Sequence, residues 1–182
     1  MKDFLKTITI FIFCAVAAFA VFYNASCTTD KCKATVCANG GICNNGTCTC
    51  LPGYAGANCD SISKNNFLGV WTVNETGTIT PLRSYSISII SDTTITGVII
   101  NNFYNYFRPI RGTINHDTLT IYNQQLQGKT IFGKGYIYPS SSYGNYGSIV
   151  MMYEVADTSI QVVDDFGVYP LVDHSKASNW AR

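Results

Sequence analysis

Charge is what this chain has least of. Asp, Glu, Lys and Arg make up 13% of its 182 residues, and 12 basic against 11 acidic side chains leave a formal net charge of +1. There is no basic field to neutralise phosphates and no acidic tail, which argues against nucleic-acid binding. Histidine is scarce too. His116 falls in an expected hairpin turn and His174 in a polar C-terminal stretch, where both read as solvated side chains. Sustained helical periodicity is missing, and so is a Gly-x-Ser-x-Gly elbow or any other pairing of a nucleophile with an oriented base. Asp164-Asp165 and Asp173 come nearest to a carboxylate cluster. Neighbours on a strand point to opposite faces, however, and share a proton-transfer site poorly. These absences predict a chain that is not an enzyme and that needs no cofactor or metal.

No cysteine occurs after Cys59, whereas seven of the eight lie between Cys27 and Cys59. A segment built on disulfides is therefore expected ahead of one stabilised differently. The remainder is rich in Tyr, Phe, Thr, Ile and Val, with 12 Tyr and 10 Phe, which is strand-forming chemistry.

At the N-terminus, Lys2 and Lys6 precede an uncharged, mostly apolar run from Thr7 to Tyr23, the order of an export signal. Three treatments of this segment are open. Cleavage after Ala18-Phe19-Ala20 would release a soluble protein, and an uncleaved run of about 16 apolar residues would be slightly short of the ~20 a spanning helix needs. The third follows from Asn24-Ala25-Ser26-Cys27, which resembles a bacterial lipobox, although Asn24 stands where that pattern usually has Leu. Six cysteines can pair among themselves and Cys14 leaves with the signal, so Cys27 is the odd one. Lipidation of Cys27 accounts for it. The expected organisation is a lipoprotein-type signal at 1–26, a tether and module at 27–63, a β domain at 64–172 and a polar tail at 173–182.

From Cys32 the spacing is C-x4-C-x5-C-x4-C-x-C-x8-C, with Asn39-Gly40-Gly41 before the third cysteine and Pro52-Gly53-Tyr54 and Gly56 before the last. Six cysteines alone allow fifteen pairings. This pattern over 32–59 resembles the EGF family, and the resemblance implies Cys32 with Cys43, Cys37 with Cys48, and Cys50 with Cys59. The resemblance also implies an oxidising, extracellular setting. So few apolar residues cannot bury enough surface to fold unaided, and disulfides contribute typically ~2–4 kcal/mol each. Zinc thiolates are the competing use of clustered cysteines, but there is no histidine in this stretch. Calcium is not expected either. Calcium-binding relatives carry an acidic pair before the first cysteine, and here Asp30 stands alone beside Lys31.

Residues 60–66 read as a short polar linker. Beyond it, apolar and polar residues alternate through Tyr85, Ile87 and Ile89 and again through Leu119 and Ile121, the period of half-buried strands. Further runs at 94–100, 110–115, 130–138, 148–155 and 159–164, with the strand around Trp71, make about eight. Ser91-Asp92, Asn115-His116-Asp117, Gln127-Gly128 and Ala156-Asp157 supply the turns. The fold class is thus a small disulfide-rich EGF-like module followed by an all-β antiparallel domain. A barrel is favoured over the alternative sandwich because closure removes sheet edges. Leu68-Gly69-Val70-Trp71 resembles the Gly-x-Trp start of lipocalin-like domains, and an EGF-like module ahead of such a domain resembles surface lipoproteins of Bacteroidota.

Two stretches rich in Tyr, Asn, Ser and Gly have the composition of adaptable binding loops. Tyr104 and Tyr106 mark the first, Tyr143 and Tyr146 the second. Asp60-Ser61-Ile62, Asp92-Thr93-Thr94 and Asp117-Thr118-Leu119 resemble Bacteroidota O-glycosylation sites, with Ser61, Thr93 and Thr118 as acceptors. The expected function is non-enzymatic: an exported surface lipoprotein, anchored by lipid, that adheres to or binds an unknown surface protein or glycan. The EGF-like module would be its stalk or contact. The alternative is a lipocalin-like carrier of a small molecule, which requires an open cavity of ~300 Å³ or more. A barrel filled by its own side chains would favour surface contact instead.

Overall fold

The chain is described from a computed structural model covering residues 30–139, 146–168 and 176–182. The signal segment, Cys27, His174 and Tyr143 lie outside the described residues, as does the side chain of Tyr146.

The cysteine-rich module consists of two small hairpins, β1 (Ile42–Asn44) with β2 (Thr47–Thr49) and β3 (Tyr54–Ala55) with β4 (Ser61–Ile62). Disulfides join Cys32 to Cys43, Cys37 to Cys48 and Cys50 to Cys59, the same three pairs the resemblance implies. Within 32–59 only Gly53 and Cys59 are buried, so the bridges take the place of an apolar core. Asn39 and Gly40 both adopt positive φ. A Cβ on Gly41 would stand 2.8 Å from Cys59 Sγ, so no larger residue could hold that turn against the third bridge.

The second module is an eight-position antiparallel barrel. Its strands are β5 (Gly69–Glu75), β6 (Arg83–Ser91), β7 (Gly97–Asn101), β8 (Ile110–Asn115), β9 (Thr118–Leu126), β10 (Lys129–Pro139), β11 (Tyr146–Asp157), β12 (Val162–Phe166) and β13 (Ser178–Ala181). Each strand from β5 to β11 pairs with the next, and β13 closes the circle by pairing with both β11 and β5. The strands β12 and β13 lie along successive halves of β11, against Tyr153–Asp157 and Ser148–Met151. Together they make one strand position. The Gln127-Gly128 turn joins β9 to β10 with positive φ at both residues, as a two-residue type I′ hairpin requires.

Three expectations need correction. The C-terminal stretch taken as a polar tail contains β13, whose Trp180 is 1% exposed. The strand expected from residue 94 begins at Gly97, and the one expected from residue 159 begins at Val162. Finally, 60–66 is no solvated linker: β4 occupies its start and a 3-10 turn, Ser63–Asn66, the rest. Lys64 is 8% exposed and donates to the carbonyls of Asp92 at 3.2 Å and Thr94 at 2.6 Å, in the loop between β6 and β7. A buried ammonium survives only with such acceptors. From the module side, Ser63 N–H donates to the Gly53 carbonyl at 2.9 Å. Gly53 has φ +91°, and a Cβ there would meet Ile95 and Thr96 at 3.1 Å. Module and barrel are joined through packed, hydrogen-bonded contacts.

Along each strand the inward positions fill the barrel. Trp71, Phe103, Tyr153, Phe166 and Trp180 are all at most 1% exposed. Tyr153 and Phe166 stack at 4.3 Å between centroids, and Phe103 meets Tyr153 edge-on at 4.7 Å, the arrangements that ring quadrupoles favour. Both indole N–H groups are satisfied, Trp71 by the Phe67 carbonyl at 2.7 Å and Trp180 by Ser178 Oγ at 2.9 Å.

Lys64→Met should remove the charged hydrogen bonds to the Asp92 and Thr94 carbonyls, at a cost of about 1–3 kcal/mol in urea unfolding. It should also let the modules tumble separately in NMR relaxation. A variant whose modules still share one correlation time would show that Lys64 does not hold the joint.

Candidate functional site

Inside the barrel, the polar groups are consumed by one another. Glu75, at the end of β5, is 2% exposed. Its Oε1 accepts from Arg83 Nε at 2.9 Å, Arg83 Nη2 at 2.8 Å and Tyr85 Oη at 2.9 Å. Its Oε2 accepts from Tyr153 Oη and Ser178 Oγ, both at 2.7 Å. Burial works against the charge of Arg83, but the hydrogen bond and charge of Glu75 outweigh it and raise its pKa. Burial pushes the Tyr85 and Tyr153 hydroxyls well above the ordinary phenol range, reinforced by Glu75 at Tyr85 and by Tyr85 and Glu75 at Tyr153. Neither tyrosine is a plausible base or nucleophile; they are fixed donors to a carboxylate.

A second knot lies beside the first. Asp164 Oδ1 accepts from the N–H groups of Ile79 at 3.0 Å and Thr80 at 3.3 Å, while Oδ2 accepts from Thr80 Oγ1 and, at 2.8 Å, from Tyr104 Oη. Burial pushes the Asp164 carboxyl up, yet the hydrogen bonds from Thr80, Ile79 and Tyr104 together hold it below its usual value. The loop between β5 and β6 is thereby pinned across the barrel end.

This knot relocates the first expected binding loop. Tyr104 sits in a short 3-10 turn, Phe103–Asn105, with φ +56°, a left-handed conformation that a bulky residue adopts at a cost. Interior contacts hold it there. Arg83 stacks over its ring at 4.2 Å, and Tyr106, Phe166 and Tyr153 meet it edge-on. Burial raises its hydroxyl to a pKa of about 12. Tyr104 is therefore part of the barrel plug, and half-buried Tyr106 packs against the same core. Phe107, in the same loop, is 92% exposed. Among the acceptors resembling glycosylation sites, Ser61 and Thr93 are exposed, whereas Thr118 is half-buried opposite Tyr136.

A concavity of ligand size lies on the outer wall. Across β9, β10 and β11 a groove of ≈ 820 Å³ is lined by Tyr122, Phe132, Lys134, Tyr136, Tyr138 and Met152, with Thr120 and Asn123 on the β9 side. Its upper edge is formed where Gly167 and Val168 leave β12. The register sets the floor: Lys134 stands directly opposite Thr120 on one side and Met152 on the other. Phe132 and Tyr136 flank it two residues away on the same face. The inner face explains the shape. A Cβ on Gly133 would lie 2.6 Å from the Met152 carbonyl oxygen and closer still to Tyr153 Cβ, and one on Gly135 would lie 2.7 Å from Met151 Sδ. Pinched together on the inside, the strands fan their outer side chains apart. A bulge sets Tyr122 and Asn123 against Phe132 and adds to the bend. Sequence reasoning missed this site. The available signal was that β10 is apolar on both faces, with Phe132, Tyr136 and Tyr138 where a one-sided strand would carry polar residues.

A second, smaller hollow of ≈ 490 Å³ lies on the disulfide-rich module, lined by small residues around Thr35, Val36, Thr47 and Asn58. Among the described residues, no three His, Cys, Asp or Glu side chains converge as a metal site.

Comparison with known proteins bears on the first module. Residues 34–61 match the family model of a Teneurin-like EGF domain. The cysteine-rich segment is an EGF-like module. That match covers well under half of the chain, beginning just after Cys32 and ending just before the 3-10 turn. No curated protein matches the chain. No solved structure matches it either.

The Glu75 knot gives a direct test of the interior. Glu75→Ala would strand Arg83, Tyr85, Tyr153 and Ser178, and should cost about 3–5 kcal/mol in chemical denaturation. A loss below ~1 kcal/mol would mean that water replaces the carboxylate and the barrel end is open.

Proposed function

We propose that this chain is a non-enzymatic, exported binding protein, held at a membrane surface by lipid on Cys27. The groove on the outer wall of its barrel makes contact with a partner at the surface. One observation carries the reading: the barrel axis is occupied by Trp71, Phe103, Tyr153, Phe166 and Trp180, whereas the ligand-sized hollow with convergent aromatic and polar groups is outside. Disulfides support the oxidising location. No helix among the described residues is long and apolar enough to cross a membrane. The resemblance to Bacteroidota surface lipoproteins, and the lipocalin-like likeness of the Gly69 to Trp71 start, belong to this proposal.

Carriage is the second reading, favoured by the groove's volume of ≈ 820 Å³. In that case natively purified protein should release a bound small molecule on extraction and mass spectrometry.

The contact reading predicts that cells displaying Tyr122→Ala/Tyr136→Ala protein lose adhesion or partner capture by tenfold or more, with thermal stability nearly unchanged because both side chains face outward. Undiminished adhesion by a folded variant would remove the groove from consideration. For the anchor, a fatty-acid probe should label the native chain and not Cys27→Ser. Equal labelling of both would sink the lipid attachment.

A further inference from the structure

The groove's chemistry narrows what it takes. Its floor combines flat aromatic faces, a thioether and the hydroxyl and amide of Thr120 and Asn123 around a single ammonium, Lys134. Among the described residues Lys134 joins no ion pair; the three that exist are Arg83 with Glu75, Arg111 with Asp92 and Lys129 with Asp157. The Lys134 ammonium is exposed at the groove surface, where it is open to an incoming anion, and attraction between such charges is screened by salt. Around it, Phe132, Tyr136 and Tyr138 offer ring faces carrying negative quadrupole charge, which suit the electropositive C–H faces of a sugar ring. Thr120 and Asn123 offer hydrogen bonds to sugar hydroxyls.

A peptide has less to hold it. Strand addition requires an unpaired edge, and β10 and β11 are each paired on both sides, while β9 pairs with β10 and, over Thr118–Thr120, with β8.

We propose that this groove binds an acidic carbohydrate, its carboxylate or sulfate meeting Lys134 and its ring faces lying on Tyr136 and the neighbouring aromatic side chains. The inference rests on the groove being the contact site.

Two acids on the same face bear on the charge balance. Glu154 stands opposite Phe132, and Asp165 stands opposite Glu154 on β12. Burial, and then the charge of Asp165, raise the pKa of Glu154, a carboxyl placed diagonally from Lys134 on the same face. Removing Glu154's charge should therefore help an acidic ligand.

Calorimetric titration of the folded protein with a heparin-derived tetrasaccharide, an oligogalacturonate tetrasaccharide and neutral cellotetraose would test this. The expected result is binding of at least one acidic sugar that weakens with salt. Lys134→Met should lower that affinity tenfold or more, Lys134→Arg should largely keep it and Glu154→Gln should raise it. Equal binding of acidic and neutral sugars, indifferent to Lys134→Met, would overturn the acidic ligand and leave the groove as the contact site. If no sugar binds while Tyr122→Ala/Tyr136→Ala still abolishes cell adhesion, the ligand is not carbohydrate and the contact reading stands. If adhesion is also untouched, both fall together.

Discussion

The carboxylate of Glu75 is buried at the one place where the barrel has to close. Its five donors come from β6, β11 and β13, so it ties β5 to the strand beside it and to the two across the closure. The strand β13 is only four residues long and offers few ladder bonds of its own; Ser178 reaching Glu75 fixes which segment fills the gap and in which register. A fully satisfied buried network of this kind specifies geometry as much as it stabilises. An apolar residue at 75 could pack, but it would not distinguish one register of the closing strand from another.

Closure propagates outward along side chains. Arg83, drawn in by Glu75, lies over the Tyr104 ring; Tyr104 donates to Asp164; Asp164 holds Ile79 and Thr80. Among the described residues the axis and this end are filled by side chains, and the proposed contact surface is the wall. There the constraint is steric. Gly133 and Gly135 permit Tyr153 and Met151 to fill the interior against the β10 backbone, and the same inward crowding spreads Phe132, Lys134 and Tyr136 on the other face. One packing decision thus shapes the core and the groove together.

What could be read from the sequence follows from how local the determinant is. Cysteine spacing is covalent and short-range, so the EGF-like module was legible residue by residue. Period-two alternation gave most of the barrel strands, because each has one face in the core. The closing strand was not legible: Ser178-Asn179-Trp180-Ala181 is too short to show a period, and only its Trp hinted at burial. Tyr104 misled because its neighbours Asn102 and Asn105 are turn formers, and a composition typical of exposed loops says nothing about which way a left-handed residue points its ring. Lys64 looked like linker polarity, since a buried cation satisfied by distant carbonyls leaves no local trace. The groove is assembled from three strands and was visible only as an apolar outer face on β10.

The joint at Lys64 changes what the EGF-like module can do. A stalk on a flexible linker lets a binding domain sample orientations, whereas here Gly53, Ser63 and Lys64 couple the module to the β6–β7 loop. Only four residues stand between Cys27 and Cys32, a reach of at most ~18 Å when fully extended. With Cys27 lipidated as proposed, that short tether and the packed joint would hold the barrel near the membrane and restrict the directions in which the outer wall can face. The groove would then meet ligands lying in or just above the surface layer more readily than ligands in free solution. Local density there raises effective concentration without any added contact, so even weak binding to a single sugar unit could become firm attachment across many anchored copies.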